Sequence, residues 1–429
     1  MGKENLNEEQ SRYFDILMQG HNAFVSGDAG VGKSYLISEF IKAREEAGYT
    51  VLVCAPTGIA AINVDGVTAH RAFNAPLHPI LYDEKVKVLG TLVKSDTVII
   101  DEISMCRFDL FSYIARCIGY ANKVRIERQN KPPIQLVVVG DFFQLPPVMT
   151  DEVKDIFRVY YRIDVGYGFA FQSPYWAKFN FVNLILTKCM RQNDTDFIRY
   201  LNMARKGDIR SLDFFRRCSS SKAIEDAIYL CGTNKRAKEQ NDYFFSKLDG
   251  ETFKYYSEIE GEVKDSDKMT EDELEFKVGA RVMTLTNDLF DRYQNGSLGV
   301  ITKCTDKGVE VRIDKTGNKV FIEPYTWEIK GYSLKSNPDK AGESKLSKDT
   351  IGTFTQLPLK MAFAITIHKS QGQTYDKVNL NPYCWDCGQL YVALSRVRTI
   401  DGLFIDGFMS NKFLIVSQDV VAFYQSLRR

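Results

Sequence analysis

One short segment constrains the fold of this chain more than any other part of its sequence. Residues 27–34 read Gly-Asp-Ala-Gly-Val-Gly-Lys-Ser and match the pattern G-x-x-x-x-G-K-[S/T] at every fixed position. The apolar run Ala23–Ser26 precedes it, and a helix is predicted to follow over Tyr35–Glu46. In that context the glycines let backbone N–H groups wrap a polyphosphate, and the helix N-terminus adds partial positive charge. Lys33 is expected to neutralise the β- and γ-phosphates, and Ser34 to ligate Mg²⁺.

Residues 1–180 alternate apolar runs with helix-like segments, which is typical of a parallel α/β sheet. The predicted buried strands are Ala23–Ser26, Val51–Ala55, Thr97–Ile100 and Ile134–Val139. Each is followed within a residue or two by Gly, Pro, Asp or Ser. In an open α/β sheet such loops lie at the carboxyl ends of the strands, where ligands bind. We therefore expect the chemically active side chains at that edge.

Polar side chains follow two of these strands. Asp101 and Glu102 come directly after Thr97–Ile100, and Gln144 follows the fourth strand within Gly140–Pro147. Asp101 is the predicted Mg²⁺ ligand, directly or through water, and Glu102 the predicted base that orients an attacking water. The carboxamide of Gln144 is expected to contact the γ-phosphate and so to distinguish ATP from ADP. An acidic pair after a strand is weak evidence alone, but it gains weight beside the loop at residues 27–34.

Composition does not by itself indicate nucleic acid. The 429 residues are 44% hydrophobic and 26% charged, and the formal net charge is only +1. Dedicated DNA-binding domains are usually strongly basic, so any charge that binds DNA here has to be concentrated in a groove. No apolar run approaches the ~18–20 residues that span a bilayer. The polar, acidic residues 1–14 do not match a secretory or transit signal, so we expect an intracellular protein.

The second half predicts another α/β domain interrupted by a β-rich insertion. A strand is predicted at Phe181–Leu186 and a helix at Thr195–Lys206, and the α/β pattern resumes near Phe354. Between them, residues 251–350 are rich in charge, Gly and Tyr, with short alternating runs typical of a small β domain. Residues 333–349 are polar and are predicted to form a mobile loop.

With these segments identified, the chain resembles the superfamily-one helicases of the 5′-to-3′ branch, and specifically the Pif-one family, relatives of RecD and Dda. The resemblance covers almost the whole chain, and the motifs follow the family order. Besides residues 27–34, the segments that carry it are Leu6–Gln10 (Q motif), Ala55–Ala61 (motif Ia), Gly66–Phe73 (a single-strand contact motif), Arg107–Arg116 (the helical signature), Leu186–Gln192 (motif IV), Leu357–Leu359 with Ala364–Thr374 (motif V) and Tyr391–Arg398 (motif VI).

The resemblance implies an α/β fold of two RecA-like P-loop motor domains, with a small wedge insertion and an SH3-like β-barrel insertion. The expected bounds are 1–63 and 92–180 for the first motor domain, 64–91 for the wedge, 181–250 and 351–429 for the second motor domain, and 251–350 for the SH3-like insertion. ATP and Mg²⁺ are the implied cofactors. Single-stranded DNA and forked or tailed duplex DNA are the implied partners, with G-quadruplex DNA and RNA–DNA hybrids as further substrates.

The same resemblance assigns residues by motif. The expected catalytic residues are Lys33, Glu102, Gln144, Arg191 and Arg396. The expected nucleotide contacts are Gln10, Gly27, Ala29, Gly30, Val31, Gly32, Lys33, Ser34, Asp101, Gln144, Arg191, Gly372 and Arg396, with Ser34 and Asp101 on the metal. The expected DNA contacts are Pro56, Thr57, Gly58, Thr68, His70, Phe73, Asn74, Phe143, Thr366, His368 and Lys369. Arg191 and Arg396 are implied to reach the γ-phosphate from the second motor domain, where an arginine finger typically contributes ~10³–10⁵ in rate.

These assignments imply a 5′-to-3′ DNA helicase, monomeric in solution, that acts in replication, repair, recombination or telomere maintenance. It would be cytoplasmic and associated with the nucleoid if the chain is bacterial. Two alternatives stay open at this point. The first is a translocase that hydrolyses ATP on nucleic acid without separating strands, since motifs Ia, V and VI suit both. The second is a nucleotide switch or kinase unrelated to DNA, whose hydrolysis would be indifferent to single-stranded DNA.

Overall fold

The computed structural model describes residues 5–86, 89–162, 164–188, 194–290, 292–293, 295–336 and 344–427. The chain divides into two compact units. The first unit comprises Met1–Asn193, Lys330–Asp349 and Val416–Arg429, and the second comprises Asp194–Ile329 and Thr350–Ile415. Within the described residues, no helix has both the length and the apolar character needed to cross a membrane.

Helices and strands alternate along most of the chain. The helices are α1 (Glu8–Met18), α2 (Lys33–Glu46), α3 (Gly58–Asn63), α4 (Ala69–Phe73), α5 (Gly90–Lys94), α6 (Phe108–Gln129), α7 (Asp151–Tyr161), α8 (Thr195–Arg205), α9 (Ser211–Cys218), α10 (Asn234–Ser246), α11 (Gln389–Leu394) and α12 (Gln418–Ser426). The strands are β1 (Ala23–Gly27), β2 (Val51–Ala55), β3 (Val67–Thr68), β4 (Thr97–Ile100), β5 (Gln135–Val139), β6 (Val182–Leu186), β7 (Ile228–Cys231), β8 (Phe253–Tyr256), β9 (Glu258–Gly261), β10 (Glu273–Phe276), β11 (Arg281–Thr284), β12 (Leu298–Thr305), β13 (Gly308–Ile313), β14 (Lys319–Ile322), β15 (Tyr325–Ser336), β16 (Ser344–Gln356), β17 (Leu359–Met361), β18 (Ala364–Thr366), β19 (Val378–Leu380) and β20 (Leu403–Ile405).

The first unit is built on a six-stranded sheet in the order β3-β2-β4-β5-β1-β6, and all of its paired strands are parallel. Every residue of β1, β2, β4 and β5 is buried. Continuous apolar runs are expected for parallel strands covered on both faces, and two apolar clusters fill the two faces here. The four strands predicted in residues 1–180 are thereby confirmed: β2 and β4 have the predicted bounds, and β1 and β5 each differ from the prediction by one residue at one end.

Two segments assigned to the second α/β domain belong to the first unit. Strand β6 pairs in parallel with β1, in a register that places Ala23 opposite Val182 and Gly27 opposite Leu186. Helix α12 lies in the first unit as well, where the ring of Phe423 packs on Phe142 and Phe171 with centroid separations of 5.4 and 4.4 Å. The predicted boundary at residue 180 and the assignment of residues 416–429 were therefore wrong.

The segment expected to form a separate wedge is partly integrated into the first unit. Strand β3 extends the main sheet beside β2. Ala69, Ala72, Phe73 and Ile80 are buried in its apolar core. Residues 67–80 are therefore packed with the motor domain, and a wedge role for residues 64–91 stays a prediction.

The second unit combines a parallel sheet with an antiparallel β region. The parallel sheet has the order β18-β7-β19-β20, and helices α8 to α11 belong to the same unit. Five antiparallel strands in the order β14-β13-β12-β11-β17 enclose their own apolar cluster. Residues 251–350, predicted to form a β-rich insertion, contain strands β8 to β15 and the start of β16, whereas β17, which pairs with β11, lies beyond the predicted end. The SH3-like insertion itself stays a prediction. The mobile loop predicted at 333–349 was wrong where β15 and β16 extend over residues 333–336 and 344–349.

A buried arginine connects helix α6 to the segment that directly precedes strand β4. Arg125 in α6 is fully buried and forms an ion pair with Asp96 at 2.9 Å. Its guanidinium also donates to the carbonyl oxygens of Val93, Ser95 and Pro132 at 2.8–2.9 Å. A charge buried this completely is tolerable because all of these acceptors surround it.

Arg125→Met is expected to lower the free energy of unfolding by about 3 kcal/mol, because it leaves buried carbonyls and a carboxylate without their donor. The urea midpoint measures this change. Arg210→Met is the matched control, since Arg210 is 79% exposed in its ion pair with Asp208 and such an exposed pair contributes little to stability. Equal midpoints for the two variants would contradict the structural role of Arg125.

Candidate functional site

The phosphate-binding loop is shaped by glycines that no larger residue could replace. Gly27 has φ +149°, and a Cβ there would collide with the carbonyl oxygen of Leu186 in β6. Gly30 and Gly32 have φ +78° and +80°, a region that L side chains rarely adopt. The loop ends at the N-terminus of α2, where Lys33 Nζ donates to the carbonyl oxygens of Gly27 and Asp28, both at 2.9 Å. The loop is thus wrapped around its own ammonium group.

The remaining loop residues that were predicted to contact the nucleotide differ in their exposure. Val31 is buried at 1% exposure and anchors the loop, whereas Ala29 is half-buried and Ser34 is exposed on the first turn of α2. The first turn of a helix leaves its backbone N–H groups without partners within the helix, which makes the N-terminus of a helix a general site for anions.

Helix α1 supports this loop from its N-terminal end. Gln10 is buried, and its side chain closes a capping box with Asn7 while Nε2 donates to the Gly32 carbonyl at 3.3 Å. The neighbouring Glu9 accepts hydrogen bonds from Thr187, from its backbone N at 3.1 Å and from Oγ1 at 2.9 Å. The Q motif is therefore held against both the phosphate-binding loop and the start of motif IV. An adenine contact by Gln10 stays a prediction.

The acidic pair follows β4 with unusual backbone geometry. Glu102 has φ +48°, which is uncommon outside glycine and costs of order 1–3 kcal/mol at such positions. Asp101 Oδ1 accepts a hydrogen bond from the Glu102 backbone N at 2.8 Å. Burial, with the Glu102 carboxylate adding to it, raises the pKa of Asp101 to about 7, although that hydrogen bond and the charge of Lys33 act in the opposite direction. A cation beside Asp101 would therefore relieve a real electrostatic cost.

Gln144 sits in a tight turn after β5. Its backbone N donates to the Asp141 carbonyl at 2.9 Å, and Asp141 Oδ1 accepts from the Phe143 backbone N at 3.1 Å. Gly140 before this turn has φ +153°, and a Cβ there would lie 3.0 Å from the Ile103 backbone N. The side chains of Asp141 and Gln144 are buried, so the turn that carries the predicted γ-phosphate contact is fixed on several sides.

The predicted arginine fingers fare differently. Arg191 lies outside the described residues. Arg396 is in the second unit and is 2% exposed. Its guanidinium donates to the carbonyls of Val392, Ser370 and Gln373 at 2.9, 3.3 and 3.1 Å, and to the hydroxyl of Ser395 at 2.7 Å. Gly372, with φ +80°, lies in the same segment that Arg396 grips. In this conformation Arg396 organises motif V, and its contact with a phosphate stays a prediction.

The predicted DNA contacts of the first unit divide into accessible and buried groups. Pro56, Thr57, Gly58, Thr68 and His70 are half-buried, and Asn74 is exposed. Thr57 and Thr68 use their hydroxyls to accept from backbone N–H groups three residues ahead, at 3.3 Å each.

The two aromatic rings of this set do not face solvent. Phe73 is 1% exposed within the main apolar core, and Phe143 is 6% exposed with its ring stacked on Tyr424 at 4.9 Å. The prediction that these rings contact DNA therefore does not fit the structure.

In the second unit, the predicted DNA contacts follow strand β18. Thr366 is buried and its hydroxyl accepts from the Lys369 backbone N at 3.3 Å, while Lys369 itself is exposed. Burial lowers the pKa of His368, although the charge of Asp386 acts in the opposite direction. Burial also lowers the pKa of Lys360 to about 7, and the charge of Lys369 contributes. A basic group thus lies beside the predicted contact.

Sequence reasoning missed three side chains that bear on these sites: Glu9, Lys360 and Tyr424. Glu9 could have been suspected, because it lies within the Q motif. Lys360 and Tyr424 lie outside the quoted motifs, and only the fold brings Tyr424 to the turn that carries Gln144.

Comparison with known proteins gives a consistent answer. The model of the PIF1-like helicase family matches residues 5–213. The ATP-dependent DNA helicase Pif1 of Campylobacter jejuni is 31% identical to this chain over an alignment of 448 residues, gaps included. The alignment covers 94% of this chain and 94% of that protein.

Solved structures agree. The crystal structure of Bacteroides sp Pif1 in complex with ADP-AlF4 has a TM-score of 0.82 and 33% identity, covering 99% of this chain and 97% of that chain. Bacteroides Pif1 bound to ssDNA has a TM-score of 0.69 and 34% identity, covering 98% and 96%. The predicted α/β fold of two RecA-like domains is confirmed by this likeness.

The burial of Phe73 gives a test that separates packing from DNA contact. Phe73→Ala is expected to cost about 3–5 kcal/mol of stability, because it empties a core position, while the DNA affinity of the folded fraction stays near that of the unmodified chain. His70→Ala should instead leave the melting temperature unchanged and weaken single-strand binding. Thermal unfolding and fluorescence anisotropy measure the two quantities. Reduced affinity without reduced stability in Phe73→Ala would restore the stacking role.

Proposed function

This chain belongs to the PIF1-like helicase family, and we propose that it couples ATP hydrolysis at residues 27–34 to 5′-to-3′ movement along single-stranded DNA. As a member of that family it is an ATP-dependent DNA helicase. The polarity, the assignment of individual residues, the magnesium ion and the preferred DNA structure are the parts that we propose.

The observation that carries the proposal is the convergence of three loops at one edge of the first sheet. Strand β5 lies between β4 and β1, so the turn with Gln144 is flanked by the acidic pair and by the phosphate-binding loop. The charge of Lys33 is close enough to Asp101 to lower its pKa. Phosphoryl transfer needs little more from a protein than positioning and charge stabilisation, and this edge supplies groups for both.

The donor set suits a magnesium ion. Ser34 offers a hydroxyl oxygen and Asp101 a carboxylate, the hard oxygen ligands that Mg²⁺ prefers. The ion, when bound with ATP, would neutralise charge on the phosphates. Asp101 is buried and its pKa is raised mainly by that burial, so a cation there would offset the cost of an ionised buried carboxylate.

The roles of the surrounding side chains follow from their chemistry. Lys33 leaves its two carbonyl partners and pairs with the β- and γ-phosphates. Glu102 orients the attacking water, and Gln144 contacts the γ-phosphate and reports its loss. Arg191 and Arg396, which precede and follow the β-rich insertion in sequence, would stabilise the charge that develops on the γ-phosphate.

On the DNA side, Thr57, Thr68 and His70 of the first unit and His368 and Lys369 of the second would hold the sugar–phosphate backbone. Such contacts carry no sequence information, so we propose binding without sequence preference. Bacteroides Pif1 has been crystallised with single-stranded DNA, and we propose the same partner for this chain. Forked or tailed duplexes, G-quadruplexes and RNA–DNA hybrids are proposed as substrates of a monomeric enzyme.

Lys33→Ala is expected to lower steady-state ATP hydrolysis at least ~100-fold, because it removes the cation placed at the transferred phosphate. Single-strand binding should stay measurable by anisotropy. Lys42→Ala is the matched control: it lies on the same helix, 61% exposed in a pair with Glu39, and should retain full activity. Comparable loss in both variants would argue against a specific role for Lys33.

Strand displacement on duplexes with a 5′ or a 3′ single-stranded tail tests the polarity. Unwinding is expected only with the 5′ tail. Unwinding from the 3′ tail alone would refute the assigned polarity. Hydrolysis stimulated by single-stranded DNA without unwinding of either duplex would favour a translocase instead.

A further inference from the structure

The C-terminal helix brings a tyrosine hydroxyl to the back of the nucleotide site. Tyr424 in α12 lies with its hydroxyl 2.6 Å from Ser26 Oγ, in the strand that leads directly into Gly27. The same hydroxyl accepts from the Phe142 backbone N at 3.3 Å and lies 3.4 Å from Asp141 Oδ1. Ser26 and Asp141 are completely buried. One phenol therefore bridges β1 and the turn that follows β5.

The bridged turn is the one that positions Gln144. Asp141 closes it twice, by accepting from the backbone N of Gln144 and, through Oδ1, from that of Phe143. Tyr424 contacts the same carboxylate oxygen, and its ring stacks on Phe143 with an interplanar angle of 24°. Tyr424 thus contacts both the polar side of the turn, at Asp141, and its apolar side, at Phe143.

The hydroxyl of Tyr424 has hydrogen-bonding partners in strand β1 and in the turn that follows β5. A phenol donates one hydrogen bond and accepts others, so Tyr424 can accept from Phe142 N while it donates to Asp141 or exchanges with Ser26. Buried polar groups are costly when unpaired, and the phenol meets part of that demand at both loops. The packing of α12 itself is served by its neighbour Phe423, whose ring lies 5.4–5.9 Å from those of Phe24, Phe142 and Trp176.

We propose that Tyr424 is a positioning residue for ATP hydrolysis, whose hydroxyl fixes the Asp141–Gln144 turn against the strand of the phosphate-binding loop. It does not touch the nucleotide and acts through Gln144. This inference rests on the proposed role of Gln144 at the γ-phosphate.

The test is Tyr424→Phe, which keeps the ring on Phe143 and removes only the hydroxyl. We expect kcat for DNA-stimulated ATP hydrolysis to fall about tenfold, with KM for ATP changed less than about threefold, because the phosphate-binding loop itself stays intact. Tyr255→Phe is the matched control. Tyr255 is a buried tyrosine of the second unit whose hydroxyl donates to the Thr305 carbonyl at 2.9 Å, so its loss should affect melting temperature alone.

A double variant separates this inference from the proposal on which it rests. If Tyr424 acts through Gln144, Tyr424→Phe should lower kcat in the unmodified chain but add little to Gln144→Ala, since effects within one network are not additive. Full additivity, or a kcat for Tyr424→Phe within twofold of the unmodified chain, overturns the role of Tyr424. Normal hydrolysis by Gln144→Ala overturns both, whereas impaired Gln144→Ala beside normal Tyr424→Phe overturns the tyrosine alone. An equal loss of kcat in Tyr255→Phe would show that losing any buried tyrosine hydroxyl lowers kcat through stability, and it would overturn a specific role for Tyr424.

Discussion

The nucleotide site depends on one constraint, the parallel course of all six strands in the first sheet. Parallel strands deliver their carboxyl ends to the same edge, and β1, β5 and β4 are consecutive neighbours in the sheet order. Loops that are far apart in sequence, at residues 27–34, 101–102 and 140–147, are therefore brought side by side. No single segment is a site by itself, because the loop at residues 27–34 provides the phosphate cradle but neither the carboxylates nor the amide.

At the carboxyl edge of the first sheet, the ionisable side chain of Asp101 is buried. An ionised carboxylate is expensive in a dry environment, and burial accordingly raises the pKa of Asp101 to about 7. Lys33 lies near enough to oppose that shift, yet its ammonium group is itself held by two backbone carbonyls. A positive charge beside the Asp101 carboxylate would therefore be stabilising, and the Lys33 ammonium group is already bonded to two carbonyl oxygens. Both features suit a ligand that arrives as a metal–polyphosphate pair, since the metal serves the carboxylate and the phosphate serves the lysine.

The sequence predicted well whatever is encoded locally. Strands β1, β2, β4 and β5 are unbroken apolar runs followed by turn residues, and the glycines at 27, 30 and 32 mark a loop that only glycine can form. What it could not predict is which sheet a run joins. Strand β6 and helix α12 have ordinary patterns, and only tertiary pairing assigns them to the first unit. The same limit explains Phe73 and Phe143, because an aromatic ring within a DNA-contact motif has the same sequence signature whether it is exposed or packed.

Those two misassigned segments share a physical consequence. Strand β6 places the Leu186 carbonyl where a side chain on Gly27 would have to go, and α12 places the Tyr424 hydroxyl against Ser26, one residue earlier. The chain leaves the first unit after Asn193, contributes Lys330–Asp349 to it, and returns to it finally at Val416. Strand β6, before Asn193, and helix α12, after Val416, therefore both contact β1, the strand that leads into the phosphate-binding loop.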